Sequence, residues 1–158
     1  MTFNEKQTGV WLLTGAILGA LFVRGAFARP RYTRQLLVIV LVLAALAYVL
    51  FARDASEMPF WLRIEFVGVG IYGTIGLRGL RGSLWWLVAG WALHPLWDIV
   101  LHYLGQGSAF APSWYTVSCV SFDLVVAGYI AFRIPRLQRE NSGFTSLAMS
   151  TKPKSKKP

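Results

Sequence analysis

The sequence predicts an all-α polytopic membrane protein of five transmembrane helices, with the N-terminus outside and the C-terminus cytoplasmic. Three observations carry that expectation. The chain has 158 residues, of which 55% are apolar and only 15% charged, and its mean hydropathy is +0.49. A soluble domain carries about 25% charged residues, so this composition argues against both a disordered chain and an ordinary soluble domain. Apolar runs of about 20 residues, the length that crosses a bilayer as a helix, recur five times with short gaps between them. Lys and Arg fall almost entirely on one side of those runs.

Span one covers about 8–27. Its Ala26-Phe27-Ala28 has the small-x-small form of a signal-peptide cleavage site, but Arg24 interrupts the approach and arginines follow it. Positive charge there opposes export, so the expectation is an uncleaved helix. Gly15-x-x-x-Gly19, with Ala16 and Ala20 beside it, fits close packing of helix backbones. Span two covers about 35–52. Span three covers about 59–77 and carries Gly68, Gly70, Gly73 and Gly76 together with Glu65. These small-residue faces are expected to serve helix packing, within the chain or between copies in a homo-oligomer. Spans four and five cover about 84–104 and 114–132. Together they make a five-helix transmembrane domain over 1–140, and 141–158 is expected to be a disordered basic cytoplasmic tail.

Orientation follows from the basic residues. One side holds Arg24, Arg29, Arg31 and Arg34, then Arg78 and Arg81, then the C-terminal Arg133, Arg136, Arg139 and four lysines; the other holds Lys6 and Arg53. Thirteen against two places the C-terminus in the cytoplasm. Trp11, Trp61 and Trp114 fall at the outer ends of the spans, and Trp85 and Trp86 at an inner end. The formal net charge of +9 is thereby accounted for without a nucleic-acid partner. The expected partner is the lipid bilayer. One cysteine, Cys119, excludes an internal disulfide and a CxxC metal motif.

The chemistry lies in spans three to five. Span four reads WALHPLWDIVLHYL, with His94, Asp98 and His102 four residues apart. Each step of four turns about 400°, so the three share one slowly drifting face. In span five Tyr115, Cys119 and Asp123 repeat the spacing. Counted at 1.5 Å per residue from the outer ends, His102 and Tyr115 lie at roughly 3 Å depth, Asp98, Cys119 and Glu65 at roughly 9 Å, and His94 and Asp123 at roughly 15 Å. Pro95 removes one backbone hydrogen bond and is expected to perturb the helix beside His94.

An Asp near the centre of a span costs about 2.5–3.5 kcal/mol if it faces lipid. The ionisable groups are therefore expected to face the bundle interior. His nitrogen and carboxylate oxygen suit a divalent metal such as Zn, Fe or Mn. The candidate ligands are His94, Asp98, His102 and Asp123, with Glu65 as a fifth ligand or general base and Tyr115, Cys119 and Trp91 around the pocket. The corresponding activity is metal-dependent hydrolysis of a lipid or other amphiphile. A proton-coupled transporter and a structural subunit with a hydrogen-bond network remain alternatives. Both histidines sit on one span, against bridged haem, and no HExxH, GxSxG or phosphate loop occurs.

The stretch HPLWDIVLH followed by SWYTVSCVSFDLVVAGY resembles a family of small bacterial integral membrane proteins of unknown function. The resemblance runs from about Trp61 to Phe132 and is carried by His94, Pro95, Trp97, Asp98, His102, Tyr115 and Asp123, whereas the N-terminal spans share only hydrophobicity. It implies a bacterial inner-membrane location and lends no activity. A looser likeness is to seven-helix membrane hydrolases that hold zinc through His and Asp, from which five spans and two histidines depart.

Overall fold

The computed structural model describes the backbone of residues 5–150 and the side chains of 5–135. The side chains of the tail expected at 141–158, and all of 151–158, lie outside the described residues. Five helices follow in chain order: α1 (Glu5–Phe27), α2 (Thr33–Phe51), α3 (Met58–Arg81), α4 (Trp85–Trp97) and α5 (Ser113–Ser150). No strand occurs among the described residues. Four of the helices, α1, α2, α3 and α5, are long and apolar enough to cross a membrane. The fourth predicted span takes a different form. Its α-helix ends at Trp97 and continues as a π turn over Asp98–Tyr103. The Leu104 amide bonds the Ile99 carbonyl five residues back, at 2.8 Å.

Short connections make neighbouring helices antiparallel. α1 packs along α5, α5 along α4, α4 along α3 and α3 along α2, while α1 and α2 barely touch. One end of the bundle gathers the α1–α2 and α3–α4 connections. There the Thr33 hydroxyl donates to the Ala26 carbonyl at 2.9 Å. The Arg34 guanidinium donates to the Gly79 carbonyl at 2.9 Å and also to that of Gly82. A cation thus meets the carbonyls that the end of α3 leaves without helical partners. The opposite end gathers the α2–α3 and α4–α5 connections, and Pro59 sits in the first turn of α3, where its missing N–H costs nothing.

Gly15-x-x-x-Gly19 works within the chain. A Cβ on Gly15 would collide with the Ser118 backbone, and one on Gly19 would sit 2.9 Å from the Phe122 carbonyl. The two glycines let α1 lie directly on α5. In α3, Gly68 makes room for the Trp97 ring and Gly76 for Val38, while Gly70 and Gly73 face open space. The apolar core lies between α2, α4 and α5, on Leu37, Leu41, Leu87, Trp91, Val126 and Ile130. The polar side chains collect beside it, toward the end that holds the α2–α3 and α4–α5 connections.

Candidate metal centre

α4 and α5 face each other with their ionisable stripes inward. His94 Nδ1 is hydrogen-bonded to Asp123 Oδ2 at 2.9 Å and lies 3.5 Å from Asp98 Oδ2. Ligand atoms of His94, Asp98 and Asp123 lie within 4.8 Å of one another, and all three residues are buried. Asp98 is 0% exposed, and neither of its carboxylate oxygens has a hydrogen-bond partner. His94 Nε2 and Asp123 Oδ1 are likewise buried and unpartnered.

These residues fit a divalent cation. Bonds of about 2.1 Å at a tetrahedral angle set ligand atoms about 3.4 Å apart. The separations of 2.9 and 3.5 Å from His94 Nδ1 bracket that edge. One imidazole and two carboxylates suit Zn, Fe or Mn. Three protein ligands would leave a coordination position for water or substrate, the arrangement of a catalytic rather than a structural site.

His102 is not in this group. Its Nε2 lies 3.4 Å from Glu65 Oε1, and both side chains are buried. The expected base therefore stands against the expected fourth ligand, apart from the other three. The lean of helical side chains explains the pairing. Each points toward the N-terminus of its own helix. Glu65 on α3 and His102 on the antiparallel α4 segment lean toward each other across the difference in depth between their backbones. The turn at Gln106–Ala109 closes over the imidazole: a Cβ on Gly107 would come within 2.5 Å of His102 Nδ1.

Tyr48 joins the two groups, and the sequence reading missed it. Its ring stacks on His102 with centroids 3.9 Å apart and lies 6.3 Å from His94. Its hydroxyl donates to Thr116 Oγ1 at 3.4 Å. Tyr72 sets its ring edge-on to His94 at 4.8 Å. The available signal was a phenol in an otherwise apolar span, which needs a partner for its hydroxyl. For Tyr72 it was a position seven residues beyond Glu65, two helical turns along one face.

Of the expected pocket residues, Tyr115 packs edge-on to Tyr48 at 5.4 Å. Cys119 is half-buried on the α5 stripe. Trp91 belongs to the apolar core, between Phe22 and Phe122 at 6.1 and 5.8 Å. Beyond His102, a polar recess of about 360 Å³ lined by Asp54, Glu57 and Gln106 opens at the end of the bundle. Trp61 and Phe110, with rings 5.0 Å apart, stand between that recess and the imidazole.

Apolar helices compatible with a membrane, enclosing a buried His–carboxylate cluster, define the class of this protein. The chain belongs to a family of unknown function (DUF6010), matched over residues 10–136. The match takes in the two N-terminal helices as well as the region of α3 to α5. No curated protein and no solved structure matches the chain.

Proposed function

We propose that this protein crosses a bacterial inner membrane five times, N-terminus outside, and holds a divalent metal between α4 and α5 for hydrolysis of a lipid or other amphiphile. The fifth crossing in this reading is α4 continued by the π turn. The observation that carries the metal is Asp98. A carboxylate with no exposure and no hydrogen-bond donor at either oxygen, facing a second carboxylate and an imidazole, is strongly disfavoured in an apolar interior. A cation held by His94, Asp98 and Asp123 relieves both charges at once. Bound there, it would lower the pKa of a water molecule into the neutral range. Glu65, with His102 beside it, is the acid–base pair of this reading. Tyr48 holds His102 in place, and the polar recess at Asp54 and Glu57 brings water as far as Trp61 and Phe110, whose rings must part to admit it to the imidazole. Gly70 and Gly73 on the open face of α3 are the surface for any self-association.

Metal analysis of detergent-purified protein tests this reading, alongside His94→Ala and Asp123→Ala. The expected result is about one metal per chain, lost in both variants. Background metal in a folded, metal-supplemented preparation would overturn it. The second reading is a proton-coupled transporter. It is favoured by the line of buried ionisable and phenolic groups from Glu65 and His102 through Tyr48 to His94. It predicts pH-driven uptake into liposomes that Asp123→Asn abolishes, with no bound metal.

A further inference from the structure

α1 and α2 follow each other in the chain yet hardly meet, because α1 rests on α5 and α2 on α3. The gap between them is a cleft of about 480 Å³ with α5 as its back wall. Gly15 and Leu18 of α1 and Val40 and Leu43 of α2 form its sides. Trp11 and Trp114, with rings 5.7 Å apart, stand at one end. From Trp11 to Leu18 it extends about 10 Å along the helix axis.

The surroundings of the cleft dictate what can fill it. The outward faces of its two flanking helices carry Leu13, Ile17, Ile39 and Leu43, each more than half exposed. In a bundle that spans a bilayer such faces stand in hydrocarbon, so the cleft opens sideways onto acyl chains. Its walls are almost wholly apolar and give water too few partners to stay.

The back wall differs from an ordinary lipid-facing surface. Ser118 Oγ is buried there without a hydrogen-bond partner, and Cys119 is a free thiol. The Tyr115 hydroxyl donates to the Ala44 carbonyl at 3.2 Å, joining α5 to α2 behind the opening. Tyr115, Cys119 and Asp123 lie on one stripe of α5, so this wall is about one helical turn from the candidate metal centre.

We propose that the cleft is a lateral binding site for one acyl chain of a membrane lipid, entered between α1 and α2 and backed by Tyr115, Ser118 and Cys119. As the place where a substrate's chain lies, it rests on the hydrolase reading; as a lipid site, it rests on the cleft and on α1 and α2 crossing the bilayer. The test uses the full chain in phosphatidylcholine nanodiscs that include a phospholipid with a diazirine in one acyl chain. After photolysis, adducts are mapped by mass spectrometry, with metal supplied and with chelator.

The expected result is adducts on the recessed Ser118 and Cys119 in addition to those on outward residues such as Leu13 and Ile17. Ala44→Phe, which puts a ring into the opening, should reduce the recessed adducts about tenfold and leave the outward ones unchanged. Leu18→Trp fills the cleft from the opposite side and serves if Ala44→Phe does not fold. Adducts on outward residues only, or recessed adducts that both fillings leave unchanged, would overturn the proposal. Recessed adducts in a protein that binds no metal would leave the lipid site standing and remove the hydrolase reading alone.

Discussion

Asp98→Asn separates a metal ligand from a packing residue by the sign of its effect. In the metal-free protein the wild-type carboxylate is a burden. Neither oxygen has a hydrogen-bond partner and both are buried, with Oδ2 only 3.5 Å from the His94 imidazole, so a charge there is poorly compensated. The amide has the same shape and no charge, so under chelation the variant should match or exceed the wild type, by about 1–2 kcal/mol. Metal reverses the order. A cation present at about 1,000 times its dissociation constant stabilises the folded state that binds it by about 4 kcal/mol. At about 2–4 °C per kcal/mol for a chain of this size, that is a rise of about 10 °C in the wild-type midpoint. The variant should gain little of it. The assay is thermal unfolding in detergent, followed by the fluorescence of the seven tryptophans, with chelator and with added Zn, Mn or Fe. Equal metal-induced shifts in the two proteins would refute the reasoning. So would a variant destabilised by the same amount with and without metal, which is the behaviour of a hydrogen-bond network.

Other outcomes follow from the same geometry. Gly15→Leu drives a side chain into the Ser118 backbone and should lower stability by about 3 kcal/mol or more, read from detergent-induced unfolding, whereas Gly70→Leu should change it little. His102→Ala removes a ring packed on Tyr48 and Phe110 and should cost about 3 kcal/mol while leaving metal content near the wild-type value. Metal lost along with the ring would restore His102 to the ligand set. For topology, a fluorescent protein fused at the C-terminus should glow and a periplasmic phosphatase fused there should be inactive. The same phosphatase inserted at Ala55 should be active, and the reverse pattern would overturn the orientation.

Much of the fold was legible because span length and apolar run coincide. The predicted 35–52 and the observed Thr33–Phe51 differ by two residues at the start and one at the end. α3 runs four residues past the predicted 77, to Arg81, because the arginines that end the apolar run do not end the helix. The contact between His94 and Asp123 was visible as equal depth on antiparallel helices. The pairing of Glu65 with His102 was not, since residue counting locates backbones and side chains lean away from them. Neither was the π turn, because a change from four-residue to five-residue hydrogen bonding leaves no mark in apolar periodicity. Tyr48 left little sign in the sequence, since a phenol carries no charge and an apolar helix such as α2 can hold one for packing alone. Small residues predicted close approach at Gly15 and Gly19, and only the packed bundle could identify α5 as the partner.

The division of the centre between α4 and α5 also bears on how the chain is made. If the chain crosses the membrane five times, as proposed above, α4 and its π turn carry His94, Asp98 and His102 into it, while the carboxylate that His94 bonds, Asp123, lies 25 residues further along than Asp98. During synthesis the fourth segment emerges first and has no companion for its charge. On the five-crossing reading it therefore waits beside the translocation machinery until the fifth has been made, and the two enter lipid as a hairpin. A chain cut short before α5 would leave its fourth segment outside the bilayer, and the quality-control proteases of the membrane would see it there.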